Sequence, residues 1–139
     1  MGYQVSIPYG NGAKYDFIAD VDGELLKVQC KTSHMLRDHG KDDPGAFSFS
    51  TCTQTTNTKK TSRFTYSKSD VDYFMTVYNN EFYIVPVSEC STHKTLRFTP
   101  PKNNQKSYNK AEDYLLSKRF KKSQQLIDSQ IAFLNRNNN

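Results

Sequence analysis

The chain has no tryptophan, only three cysteines, and little aliphatic material: 35% of its 139 residues are hydrophobic. Each shortage excludes something. No apolar run approaches the roughly 20 residues that span a bilayer, and no charged stretch followed by an apolar one marks a secretory signal, so a cytoplasmic protein without membrane contact is expected. The cysteines, Cys30, Cys52 and Cys90, are odd in number and lack CxxC spacing. They read as reduced thiols, with Cys30 a small core residue. His34, His39 and His93 do not group with them at ligand spacing, which disfavours zinc. Without tryptophan, nine tyrosines and nine phenylalanines must supply much of the packing. Acidic residues are outnumbered 14 to 19 by lysine and arginine, for a net charge of +5. Together with a mean hydropathy of −0.79, this describes a basic, water-compatible single domain. A basic balance favours an acidic partner, of which nucleic acid is the commonest, although lysines also serve simply to keep a protein in solution.

What is present is concentrated in residues 15–32, YDFIADVDGELLKVQCKT. Asp-Gly between two hydrophobic runs signals a two-residue β-hairpin turn. With Asp22-Gly23 in the turn, Asp16 lies directly across from Gln29 and Lys14 across from Lys31. Side chains alternate along a strand. One face therefore carries Tyr15, Phe17, Ala19, Val21, Leu26, Val28 and Cys30 and must meet a core. The other carries Lys14, Asp16, Lys27, Gln29 and Lys31. That second face is either an ordinary solvated surface with cross-strand charge pairs or a site. Opposed Cβ atoms about 4.5–5.5 Å apart let Asp16 and Gln29 share one divalent cation. Asp20 is read as a charge partner for Lys27, or as a second metal position.

Around the hairpin, residues 3–8 read as a strand stopped by Pro8, and residues 9–13 as a turn. Residues 33–45 read as an exposed loop. Residues 46–52, AFSFSTC, alternate with period two and suggest a third strand of the hairpin's sheet. Residues 53–65 are dense in Thr, Lys and Asn. They read as a solvated loop, or as a flexible basic arm in which Lys59, Lys60 and Arg63 touch phosphates. Ser69-Asp70 suggests the cap of a helical turn. Residues 74–78 and 81–87, joined by Asn79-Asn80, are nearly all apolar and suggest a hairpin central in a sheet covered on both faces. Residues 96–99 read as an edge strand ended by Pro100-Pro101, and residues 102–109 as a polar loop. Two helices are expected, over 109–120 and 123–135, the second with Leu126, Ile127, Ile131 and Leu134 on one side. Lys118, Arg119, Lys121 and Lys122 lie between them, a solvated helix end or a DNA-backbone contact.

Asp16, followed by Gln29-Cys30-Lys31, resembles the PD-(D/E)XK nuclease superfamily, whose core is an acidic residue on one strand and an acidic-or-Gln, any residue, Lys triplet on the next. The surrounding text, IPYGNGAKYDFIAD and VQCKTS, then VDYFMTVYNNEFYIVPVSEC and LRFTPPKNNQ, is similar to the branch of bacterial group I intron-encoded homing endonucleases, which uses Gln where most relatives have Glu. The resemblance covers roughly residues 2–114. It implies an α/β (α+β) fold: a central mixed β-sheet with a restriction-endonuclease-like core over residues 1–105, and a helical extension over 106–139 suited to an oligomer interface. It also implies catalytic Asp16, Gln29 and Lys31. Mg²⁺ (or Mn²⁺) is held by Asp16, Gln29 and the Cys30 carbonyl, while the Cys30 thiol points into the core. Lys14, Lys27, Lys59, Lys60 and Arg63 are expected on DNA, with Ser6, Tyr9 and residues 10–14 along the cleft. Relatives usually begin with a helix carrying one more acidic residue. Here the first strand comes at once, so either the protein is truncated or the C-terminal helices take over that packing.

The activity implied is site-specific hydrolysis of double-stranded DNA by a homodimer or homotetramer. The alternatives are a Holliday-junction resolvase, a restriction-type nuclease, or an inactive DNA-binding relative, since specificity resides in loops and assembly rather than in the motif.

Overall fold

In the computed structural model, residues 3–120 are described, together with Ala132, Asn135 and Arg136. Ten strands run in chain order: β1 Gln4–Ser6, β2 Phe17–Val21, β3 Glu24–Cys30, β4 Ser33–Asp38, β5 Lys41–Ser50, β6 Cys52–Asn57, β7 Lys60–Thr65, β8 Tyr73–Tyr78, β9 Glu81–Pro86 and β10 His93–Arg97. Short 3-10 turns cover Val87–Glu89 and Ala111–Tyr114, and one helical turn, α1, covers Leu116–Arg119.

Turn chemistry explains the local pairings. Asp22-Gly23 joins β2 to β3, His39-Gly40 joins β4 to β5, and Asn79-Asn80 joins β8 to β9. All six residues have positive φ, between 48° and 84°. Two consecutive positive φ values define the type I′ turn whose twist matches the flanking strands, and Asn, Asp and Gly bear that conformation most easily. The β2–β3 register follows as expected, with Phe17 opposite Val28 and Val21 opposite Glu24.

These hairpins build a mixed five-stranded sheet ordered β1-β2-β3-β8-β9. β3 and β8 are its parallel seam, pairing Gln29 with Phe74 and Cys30 with Met75. The crossover between them carries β4 to β7 instead of a long helix. Asp72 fastens the seam: its carboxylate accepts the Lys27 backbone N–H at 2.8 Å, and its own N–H donates to the Lys27 carbonyl at 2.9 Å.

A second sheet, β10-β5-β4, covers the Phe74 side of the first. Phe47, Phe49, Phe74, Val85 and Leu96 are buried between them, and Phe47 stacks on Tyr78 with ring centroids 4.4 Å apart. The other side of the five-stranded sheet holds an apolar groove of about 310 Å³, walled by Phe17, Leu26, Met75, Ile84 and Phe120 among others.

Several expectations change. Residues 46–52 do not extend the hairpin's sheet; they lie mainly in β5, the middle strand of the second sheet. Residues 33–45 form β4 and the start of β5, and residues 53–65 form the two-stranded ribbon β6-β7. Of the apolar hairpin, β8 is interior but β9 is the end strand. The helix over 109–120 is broken at Leu115, whose backbone is extended (ψ 129°) and bridges Tyr83 of β9. The unpaired edge of β9 captures that residue and ends helical continuity. The expected helix over 123–135 and Lys121 and Lys122 fall outside the fully described part of the chain. Among the described residues, no helix is long and apolar enough to cross a membrane.

Candidate active site

The hairpin register carries Asp16 one step beyond β2, where its backbone N–H donates to the Val28 carbonyl at 2.8 Å. Its side chain then meets the end of β3. Asp16 Oδ2 accepts the Cys30 backbone N–H at 2.6 Å and Gln29 Nε2 at 2.8 Å. Gln29 Nε2 also lies 3.4 Å from the Cys30 carbonyl oxygen. One carboxylate, one side-chain amide and one main-chain carbonyl thus converge within a few ångströms.

Lys31 follows on the same side of β3 as Gln29. Its backbone N–H donates to the Met75 carbonyl of β8 at 2.8 Å. Its ammonium donates to the Cys52 carbonyl at 3.3 Å and lies over the Tyr66 ring, 4.8 Å from the centroid, and the Phe74 ring at 5.9 Å. Tyr66 is itself braced edge-on against Phe74 and Phe64, with its hydroxyl 2.7 Å from that of Thr53. Ring faces and a carbonyl hold a cation in place without neutralising it.

The other expected residues separate. Lys14 does not face Lys31: the β2–β3 ladder stops before it, and Lys14 Nζ instead binds Asp70 at 2.7 Å and lies 4.6 Å from the centre of the Phe64 ring. Lys27 Nζ donates to the Ser69 carbonyl at 2.6 Å, and Asp20 accepts the Gly23 N–H within the turn, so these two are not charge partners. Lys59 occupies the tip of the ribbon. Lys60 and Arg63 are three apart on β7 and so project from opposite faces. Ser6 pairs with Ile18 at the far side of β2, and Tyr9 stands fully in solvent. Cys30 is exposed rather than a core residue. It is the last residue of β3, beyond buried Val28, and borders an open cleft with Thr32, Ser33 and Val77. Partial burial, and secondly the Asp16 carboxylate beside it, push its thiol pKa up, which keeps it protonated and a poor nucleophile.

The Phe64–Tyr66 ring pair was not legible in the sequence, because residues 53–65 lack any hydrophobic alternation, and Asp70, read there with Ser69 as the cap of a helical turn, in fact accepts the Ser67 N–H and pairs with Lys14. Asp70 has an acid-range signature. The Lys14 ammonium, then the Ser67 N–H and hydroxyl, hold its carboxyl down at about 2. A depressed folded-state pKa contributes stability above the unfolded value near 3.8 that is lost as pH falls through about 2. Carbon-detected NMR of the Asp70 carboxyl is expected to titrate near 2 and to move upward in Lys14→Ala. An ordinary midpoint in the wild-type protein would show that the pair does not form.

A family model described as PD-(D/E)XK endonuclease matches residues 1–117. The chain belongs to the PD-(D/E)XK endonuclease family. Among solved structures it is similar to a bacterial homing endonuclease, I-Ssp6803I, with 24% identity and a TM-score of 0.62, over 95% of this chain and 83% of that one. At that identity the likeness establishes the shared fold. No curated protein matches the chain.

Asp16, Gln29, Cys30 and Lys31, expected from the sequence as the family's acidic residue and triplet, lie together where Asp16 meets the end of β3. The donor set fits a hard divalent cation: every available donor is oxygen, as Mg²⁺ and Mn²⁺ prefer. Asp16 Oδ1 takes neither of the two hydrogen bonds above, and a half-turn of the Gln29 amide exchanges its NH₂ for its oxygen. Among the described residues, no three His, Cys, Asp or Glu side chains gather in a group that could hold a metal ion, so a cation here would rest on one carboxylate, one amide oxygen and one main-chain carbonyl.

Proposed function

We propose that the protein is a metal-dependent endonuclease of homing type, hydrolysing phosphodiester bonds at a defined site in double-stranded DNA. The observation that carries this reading is the convergence of Asp16, Gln29 and the Cys30 carbonyl beside a charged, ring-supported Lys31. Membership of a nuclease family supplies the reaction class, and the fold shared with a homing endonuclease favours that type over a resolvase or a restriction-type enzyme.

Asp16, Gln29 and the Cys30 carbonyl would hold Mg²⁺ or Mn²⁺. Such an ion, when bound, polarises a phosphoryl oxygen and lowers the pKa of a water. Asp16 also positions the end of β3 through the Cys30 N–H, so it fixes the carbonyl as well as lending charge. Lys31 leaves the Cys52 carbonyl to meet the scissile phosphate, where it orients the attacking water and balances charge that develops as the bond to the leaving oxygen breaks. Lys59 and Lys60 contribute phosphate contacts, a reading supported by their exposure on the ribbon, whereas Lys14 and Lys27 are engaged by Asp70 and the Ser69 carbonyl and Arg63 projects from the ribbon's other face. Cutting both strands requires two such sites, so the working form is a homodimer or homotetramer.

Incubating genomic DNA with the purified protein and Mg²⁺, then mapping ends by sequencing, tests this. Ends clustered at one site are expected, abolished by EDTA, restored by Mn²⁺, and absent in Asp16→Asn. That variant keeps an acceptor for the Cys30 N–H but loses the charge. Ends that survive chelation or Asp16→Asn would refute the metal assignment.

A further inference from the structure

The β6-β7 ribbon has no part in the core. Apart from Cys52 at its base, every residue of both strands is exposed. An isolated two-stranded ribbon is at best marginally stable, so an exposed one of six residues per strand, roughly 20 Å long, calls for a role outside the fold. Its charge indicates the partner. From residue 44 to residue 69 there is no Asp or Glu, while Lys59, Lys60, Arg63 and Lys68 are present.

The ribbon's two faces are not equivalent. Tyr66, just past β7, supports Lys31, and its ring meets Phe64, over which Lys14 sits. Thr53 bonds the Tyr66 hydroxyl from the opposite strand. By strand alternation, the face that starts at Phe64 and Thr53 continues through Ser62 and its partner Thr55 to Lys60 and its partner Asn57. This face is continuous with the candidate active site. The other face carries Gln54, Arg63, Thr56 and Thr61.

We infer that the ribbon enters the major groove of duplex DNA next to the cut and reads base edges with Thr55, Asn57 and Ser62. This rests on the endonuclease reading above. The major groove, about 12 Å wide, admits a two-stranded ribbon, and its base edges are told apart by side chains of these types: Asn takes adenine bidentately, Ser and Thr bond either kind of edge, and the Thr methyl meets the thymine methyl. A duplex whose scissile phosphate reaches Lys31 lies along the Phe64 face and away from the Arg63 face. Lys59 and Lys60 at the tip then meet phosphate across the groove, neutralising backbone without reading sequence.

The experiment uses the full chain on a pool of duplexes with randomised sequence, recovering in parallel the molecules it binds without metal and those it cuts with Mg²⁺. The Asn57→Ala/Ser62→Ala double variant should lose roughly tenfold of the base preference at a few adjoining positions. Gln54→Ala/Thr61→Ala, equally exposed but on the far face, should give the wild-type consensus. An unchanged consensus from the first variant, an equal change from both, or a change only in oligomeric state would overturn the inference while cutting by the wild type upheld the nuclease. A wild type that binds but never cuts, with the face difference intact, would leave the groove reading standing and remove the nuclease. A wild type that selects no duplex at all would remove both.

Discussion

Lys31→Ala is expected to slow cleavage by about 10²–10³-fold, the scale for removing one preorganised electrostatic stabiliser. DNA affinity should change little. On the proposed reading, binding would draw on several dispersed cations and the rate on the one that meets developing charge, since only interactions stronger in the transition state accelerate the chemistry. The variant should also fold normally: Lys31 Nζ donates to a carbonyl and rests on rings, and its backbone bond to Met75 is unaffected. Single-turnover cleavage beside a salt titration of duplex affinity separates the two effects. Cutting at the wild-type rate, or affinity that falls in step with rate, would refute the role given to Lys31. The salt slope should be close to wild type, since it reports phosphates neutralised in the bound state.

Phe74→Ala should remove about 3–5 kcal/mol of stability, the usual cost of emptying a phenylalanine site, from a total of roughly 5–15 kcal/mol for a domain of this kind. Phe74 is 1% exposed and sits where the two sheets meet. Its ring also braces Tyr66 edge-on and underlies Lys31. The substitution therefore acts twice, on the core and on the support of the Lys31 ammonium. Phe74→Leu should restore much of the lost stability, because it leaves a smaller void, but not the flat ring face. Urea denaturation combined with cleavage rates tests this. A leucine variant that recovers stability and rate together would show that the ring supports packing alone.

The asymmetry between Phe74 and Asp16 also shows what could be read in advance. Asp16 and Gln29 were legible because their pairing is local. An Asp-Gly turn admits few registers, and that register brings Asp16 to the end of β3, although the ladder stops at Phe17 and the Asp16 N–H bonds the Val28 carbonyl, so that its side chain and not its backbone meets Gln29. The placement of Ala46, Phe47 and Phe49 was not legible in the same way: alternation marks them as a strand but not as belonging to the sheet shared with Leu96 rather than the one shared with Val28. The ribbon was missed because alternation reports burial of one face, and a ribbon wet on both faces has none. The β4–β5 hairpin was obscured by Lys41, Asp42, Asp43 and Pro44 at its exposed end. Leu115 shows the reverse case, where an open strand edge overrides a plausible helical pattern. Cys30 misled because alternation gives the side of a sheet but not how far along the strand its cover extends.

The parallel seam between β3 and β8 divides the site by the order in which it can assemble. Asp16 and Gln29 meet across a two-residue turn, so their contact forms as soon as one hairpin closes, an event of microseconds. Lys31 depends on Met75, Cys52, Tyr66 and Phe74, and the two strands of the seam are separated by residues 31–72, so its surroundings wait for a slow, non-local closure. A nascent or locally opened chain therefore has Asp16 and Gln29 together before the surroundings of Lys31 are complete. On the proposed reading, such a partly folded chain would offer a cation its donors yet leave DNA uncut, and cutting would begin only with the last long-range contacts.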